Sequence, residues 1–182
     1  MLISKQEYNI LLKECRARVA KHCVIRGNFT KTNGTPFTKM FLMRKMLFNL
    51  DFTEKASLCL LFLMQQRLGH LNVQLTGLET GSTPLVLGMA QAAKSKGFDI
   101  NPFSVRKKRK RYGTRHIIEG IPNRLPIVVL DDIINTGRSA NKCKRTLRQE
   151  GLINISPLEV SLIVSKRATK QSLFLFKFSE FN

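Results

Sequence analysis

The run Ile127-Val-Val-Leu-Asp131-Asp132-Ile-Ile-Asn135-Thr136-Gly137-Arg138-Ser139-Ala140 constrains this chain more than any other stretch. Ile127 to Leu130 are four aliphatic residues in a row, the pattern of a strand buried on both faces. The strand delivers two adjacent carboxylates to its C-terminal end. A short loop with Thr136, Gly137 and Ser139 then opens a helix. Backbone N–H groups at a helix start point outward and carry partial positive charge, so they bind phosphate. Gly137 lets the backbone come close, and the two hydroxyls add hydrogen bonds. Acids beside a phosphate site make electrostatic sense if they hold hydroxyls or a metal-bound ligand. A ribose with vicinal hydroxyls next to a phosphate satisfies both halves. The plain alternative is a strand–turn–helix in which the Asp pair serves only as turn and N-cap.

Strand and helix alternate through the second half of the chain. Short strands are expected over Val73–Leu75, Phe98–Val105, Ile117–Glu119, Ile127–Leu130, Leu158–Val164 and Ser172–Phe178. Helices are expected over Ser82–Lys96 and Arg138–Glu150. That order predicts an α/β fold with a mainly parallel central sheet flanked by helices, whose ligands bind beyond the carboxyl ends of the strands. Ahead of it, Ser4–Lys21 has apolar residues at helical spacing. Asn33-Gly34 divides Phe29–Phe41 as a hairpin turn would. Asp51 and Glu54 read as a capping box for a helix over Phe52–Leu68, closed by Gly69. No repeat or linker divides the 182 residues, so a single domain is expected, with an N-terminal helix and hood over about residues 1–50 and a core over about 70–180.

The longest apolar run, Leu58–Met64, is too short to span a bilayer, and the first residues lack the apolar centre of a signal peptide. A cytoplasmic protein without a membrane segment is the expectation. Cys15, Cys23, Cys59 and Cys143 match no zinc spacing and read as reduced thiols; the three histidines are as dispersed. The charge is unusual: 31 Lys and Arg stand against 12 Asp and Glu, a net of +19. An excess of that size implies polyanionic company, and one small phosphorylated ligand needs only a few of those cations.

The Ile127–Ala140 run resembles the signature of type I phosphoribosyltransferases: four apolar residues, two acids, two apolar residues, then a small hydroxyl and glycine loop. Asn135 departs from the residues usual at its position. The resemblance implies the type I fold, with Asp131 and Asp132 on the ribose hydroxyls of phosphoribosyl pyrophosphate. Asn135, Thr136, Gly137, Arg138 and Ser139 would lie around its 5-phosphate. Mg²⁺ would enter bound to that donor.

Arg106-Lys-Lys-Arg-Lys110-Arg-Tyr-Gly113 resembles the catalytic loop of orotate phosphoribosyltransferases, Arg-Lys-x-x-Lys-x-His-Gly. Arg106, Lys107 and Lys110 match, and Tyr112 replaces the histidine. The resemblance implies that this loop closes over pyrophosphate and is shared across a homodimer. A solvated basic patch is the plain reading of the same residues. Thr76–Leu85, with Thr80 and Gly81, stands where the family places its pyrophosphate loop. Gly27–Phe37 resembles, in part, the family's hood over the base, with the family's lysine falling on Thr32 and Lys31 one place earlier. Val164-Ser165-Lys166-Arg167 resembles Val-x-Asp-Arg, keeping the base-binding arginine as Arg167 and losing the acid. Asn135, Arg167 and Phe37 are thus the candidates for the base.

Two functions follow. The first is a glycosyltransferase of the orotate type, joining a pyrimidine-like base to the donor and releasing pyrophosphate. The second is a phosphoribosyltransferase-fold effector or regulator in an assembly with RNA or DNA, such as a retron-type antiphage defence system, which the +19 charge favours.

Overall fold

The computed structural model describes residues 2–30, 34–109, 116–165 and 169–181. Its centre is a sheet of five parallel strands: β3 (Gln74–Gly77), β4 (Asn101–Pro102), β7 (Ile127–Ile134), β8 (Ile155–Val164) and β9 (Ser172–Lys177). They run in the order β4-β3-β7-β8-β9. The mainly parallel sheet expected from the sequence is parallel throughout.

β7 is buried on both faces, for the reason its sequence suggests. Side chains alternate along a strand. Val128 and Leu130 enter the larger apolar cluster with helices α3 (Leu50–Leu68) and α4 (Thr83–Ser95). Ile127 and Val129 enter a smaller one with Ala140, Cys143 and Leu147 of α5 (Arg138–Gln149). The strand also runs four residues beyond the aliphatic block, through both acids to Ile134. Continued pairing with β8, from Asp131↔Ser161 to Ile134↔Val164, holds that extension.

Gln74 anchors the opposite end of β3. Its Nε2 donates to the carbonyls of Asn123 and Leu125 at 3.0 and 2.7 Å. Its Oε1 accepts from Asn123 N–H at 2.6 Å and from Asn101 Nδ2 at 3.1 Å. An apolar replacement strands several buried polar partners, each costing about 1–3 kcal/mol. Gln74→Leu is therefore expected to lose about 3 kcal/mol or more of stability in urea unfolding; a loss under about 1 kcal/mol would show that water replaces the network.

Helix α1 (Lys5–His22) begins where periodicity placed it, with Ser4 Oγ accepting from Glu7 N–H at 3.1 Å. The cap of α3 differs from the expectation. Asn49, extended at φ −91°, accepts Phe52 N–H on Oδ1 at 2.9 Å, so the helix starts at Leu50. Asp51 is instead drawn to Arg18 and Lys55 at 2.6 and 3.1 Å. The expected hairpin forms from β1 (Val24–Thr30) and β2 (Pro36–Phe41), followed by a single-turn helix α2 (Arg44–Leu47), too brief for periodicity to mark. The extended stretch over Phe98–Val105 is broken into β4 and β5 (Ser104–Val105), and β5 pairs antiparallel with β6 (Ile118–Glu119).

The hairpin is fastened to the final 3-10 turn, Phe178–Phe181. Phe41 meets Phe178 and Phe181 edge-on at 4.6 and 5.4 Å. Lys39 Nζ donates to the carbonyls of Phe178 and Phe181, and Arg26 donates to that of Phe181. Phe178 thus belongs to this turn and not to the last strand, which was expected to run from Ser172 through it. All four cysteines are buried free thiols, as expected. Burial pushes Cys15 and Cys143 up to about 12, so they stay protonated. Among the described residues, no helix is long and apolar enough to cross a membrane.

Candidate active site

The acid pair sits in the C-terminal half of β7, two residues short of its end at Ile134, in the centre of the sheet. The period of the strand starts the two side chains from opposite faces, yet their carboxyl groups turn to within hydrogen-bonding reach of each other. Asp131 follows Ile127 and Val129 toward α5, where Ser139 hydrogen-bonds it and Cys143 lies close enough to feel its charge. Asp132 follows Val128 and Leu130 toward the loop between β3 and α4. A Cβ placed on Gly81 would stand 3.4 Å from Asp132 Oδ1. The residues expected to hold ribose and those expected to hold pyrophosphate therefore meet at Asp132.

Backbone donors fix part of each acid. Asp131 Oδ1 accepts from Asp132 N–H at 3.0 Å, and Asp132 Oδ1 accepts from Ile133 N–H at 2.9 Å. Burial raises the Asp131 carboxyl from 3.8 to about 7, and the neighbouring Asp132 charge adds to the rise. The site holds one carboxyl that is readily protonated at neutral pH, beside a second acid.

Beyond the acids the chain turns sharply. Gly137 has φ +72°, a conformation open to glycine, and serves as N-cap of α5. No side chain caps that helix start and no acid lies in its first turn. Its leading N–H groups are thus left to bind an anion, with the hydroxyls of Thr136 and Ser139 beside them. Asn135, Thr136, Arg138 and Ser139 are exposed around this turn. Ser165 Oγ donates to the Asn135 carbonyl at 2.9 Å, tying the end of β8 to the turn.

The loop from Leu78 to Ser82 is held just as tightly. Glu79 N–H donates to the Val105 carbonyl at 2.8 Å, and Ser82 Oγ donates to the Leu78 carbonyl at 2.9 Å. The Glu79–Thr80 peptide is cis. Gly77 has no room for a side chain: a Cβ there would collide with the Leu130 carbonyl oxygen and the Ser82 hydroxyl. We expect Gly77→Ala to displace this loop and to cost about 1–3 kcal/mol in urea unfolding; an unchanged midpoint would show that the loop gives way freely.

The basic loop is only partly as the sequence suggested. Lys107 and Lys108 are exposed, but Arg106 is engaged. Arg106 Nη1 lies 3.2 Å from Glu119 and 3.6 Å from Glu79. Lys107 N–H donates to Glu79 Oε1 at 3.2 Å, so Glu79 binds the start of the basic loop to the Gly81 loop. No motif pointed to Glu79 and Glu119; their role depends on β5 and β6 pairing across the intervening loop. Lys110, Tyr112 and Gly113 lie outside the described residues, as do Thr32 and Arg167. Phe37 is half-buried on the hairpin and packs on Phe29 at 5.3 Å between ring centroids.

No protein-family model matches the chain. Similar chains do exist among characterised proteins and solved structures. An orotate phosphoribosyltransferase of Bradyrhizobium sp. (strain ORS 278) is 42% identical over 92 residues, which are 48% of this chain and 46% of that protein. The chain spans about half the length of the curated relatives it matches. The orotate phosphoribosyltransferase of Mycobacterium tuberculosis H37Rv, in complex with Fe(III) dicitrate, superposes with a TM-score of 0.75 over 94% of this chain and 99% of that one, at 18% identity. The Aeropyrum pernix enzyme gives 0.70 over 94% and 95%, at 24% identity. The chain has the type I phosphoribosyltransferase fold. Within that class, its sequence likeness runs to the orotate phosphoribosyltransferases.

Proposed function

We propose that this protein is a phosphoribosyltransferase of the orotate type. It moves 5-phosphoribose from phosphoribosyl pyrophosphate to a pyrimidine-like base and releases pyrophosphate. The observation that carries the reading is one juxtaposition: an acid pair in the C-terminal half of β7, flanked by the uncapped start of α5 and by the Gly81 loop. The sequence relatives support it, and the M. tuberculosis enzyme has also been solved with this donor. Those names favour transfer chemistry over a role in antiphage defence.

The roles divide along the site. Asp131 and Asp132 hold the ribose 2′- and 3′-hydroxyls. The N–H groups at the start of α5, with Asn135, Thr136, Gly137, Arg138 and Ser139, hold the 5-phosphate. Thr80 and Gly81 meet the pyrophosphate, joined by Arg106, Lys107 and Lys110. As the bond at ribose C1 breaks, positive charge grows on the sugar and negative charge on the departing pyrophosphate. Cations aimed at the leaving group stabilise that transition state. Arg106 must trade Glu79 and Glu119 for pyrophosphate oxygens, which links donor binding to movement of the basic loop. Closure then excludes water that would hydrolyse the donor. Mg²⁺ would enter bound to the pyrophosphate of the donor. There Mg²⁺ would supply charge neutralisation of the phosphates. Asn135, Phe37 and Arg167 are assigned to the base on the strength of the motif resemblance, as is a homodimer sharing the basic loop.

The test is pyrophosphate release from the donor against a panel of bases. A pyrimidine bearing an acidic substituent is expected to support release; turnover with purines alone would reject the orotate-type assignment.

A further inference from the structure

The transfer reaction uses few of the chain's cations, and +19 leaves most of them unexplained. Helix α5 concentrates several. Its sequence, RSANKCKRTLRQ, contains no acid and no aromatic residue. Ala140, Cys143, Thr146 and Leu147 face the sheet, while Arg138, Lys142, Arg145 and Arg148 are exposed on the other side. Lys144 is the exception: it turns in to Glu159 at 2.6 Å, with both side chains 14% exposed. The first acid after the helix, Glu150, is engaged by Arg109. That ion pair also brings the basic loop to the C-terminal end of α5, so the exposed Lys107 and Lys108 adjoin the same region.

We propose that the outer face of α5 at Lys142, Arg145 and Arg148, continued by Lys108, is a docking track for the sugar–phosphate backbone of duplex nucleic acid. At about 1.5 Å per residue, the cations from Lys142 to Arg148 extend over about 9 Å. Phosphates on one duplex strand recur about every 3.4 Å along the axis, so the row matches about three of them. The chemistry selects the partner. A small anion would need converging cations, whereas these lie in a line along an exposed helix. A single strand is best held where aromatic side chains stack its bases, and α5 offers none. The inner side of α5 is packed on the sheet, which leaves its outer side for phosphates. Such contacts position a duplex without reading its sequence. This track does not depend on the proposed reaction.

The test is fluorescence anisotropy with a mixed-sequence DNA duplex and a polyuridine strand, each of about 20 units. The proteins are the wild type, Lys142→Gln/Arg145→Gln/Arg148→Gln, and the charge-matched Lys13→Gln/Lys94→Gln/Lys96→Gln. These positions lie outside the transfer machinery, so both variants are expected to keep wild-type pyrophosphate release. At about 50 mM salt the α5 variant is expected to lose about tenfold or more in duplex affinity, and its slope of log K against log salt to shrink by about 2–3. The charge-matched variant is expected to lose less than about threefold. Equal losses in the two variants would reduce the effect to net charge and overturn the track. Absence of duplex binding by the wild type, or tighter binding of the single strand, would overturn it as well.

Discussion

Changing Asp131 and Asp132 together to Asn is expected to abolish pyrophosphate release from the donor while leaving the fold intact. The two carboxyl groups lie within hydrogen-bonding reach of each other on β7, so together they can face the vicinal hydroxyls of one ribose. Asp131 is backed by Ser139 at the start of α5, and Asp132 lies against Gly81. Losing both removes the groups that orient the sugar between its two phosphate sites. Misorientation at a reacting carbon alone costs about a hundredfold in rate, and two lost charge-assisted contacts add about 1.5–3 kcal/mol each. A drop of at least about a thousandfold in kcat/KM is the expected result. Release at the wild-type rate would remove the acid pair from the mechanism.

The second large effect is on stability, and its sign is opposite. Burial raises the Asp131 carboxyl from 3.8 to about 7. The folded protein then binds a proton that the unfolded chain releases between those values, so stability falls as pH rises through that window. The cost above it reaches about 4 kcal/mol at most, at about 1.4 kcal/mol per tenfold shift. Asp131→Asn keeps the shape and carries no charge. The variant is expected to be more stable than the wild type at about pH 8 by about 1–4 kcal/mol, and equal to it at about pH 4, in urea unfolding. A variant less stable than the wild type at the higher pH would mean that the ionised carboxylate is stabilised in place. Greater stability with no activity would fit a site kept at some cost to the fold.

Much of this arrangement was legible in the residues. Four aliphatics in a row can be buried only between two layers, and β7 lies between α5 on one side and α3 and α4 on the other. Glycine after a hydroxyl residue marked the turn into α5, where φ is +72° at Gly137. Period-two alternation starts adjacent acids from opposite faces; what it could not show is that their carboxyl groups turn back toward each other, or that Asp131 is buried. Other features depend on contacts distant in sequence. Glu79 and Glu119 hold Arg106 because β5 and β6 pair, which no local pattern records. The capping box failed for a local reason: Asn49, two residues earlier, caps α3 better placed in extended backbone, and Asp51 had cations to meet. The attachment of the β1–β2 hairpin to the C-terminal turn rests on carbonyls of Phe178 and Phe181, groups that every residue carries.

The central claim is that the turn between β7 and α5 grips a ribose 5-phosphate. Calorimetric titration with ribose 5-phosphate tests it most directly, because that ligand has no pyrophosphate for the basic loop to hold. Saturable binding is expected, competed by inorganic phosphate and weakened about tenfold or more when Gly137→Val forces a side chain into the left-handed turn. Binding that is absent, or unchanged in that variant, would contradict the account.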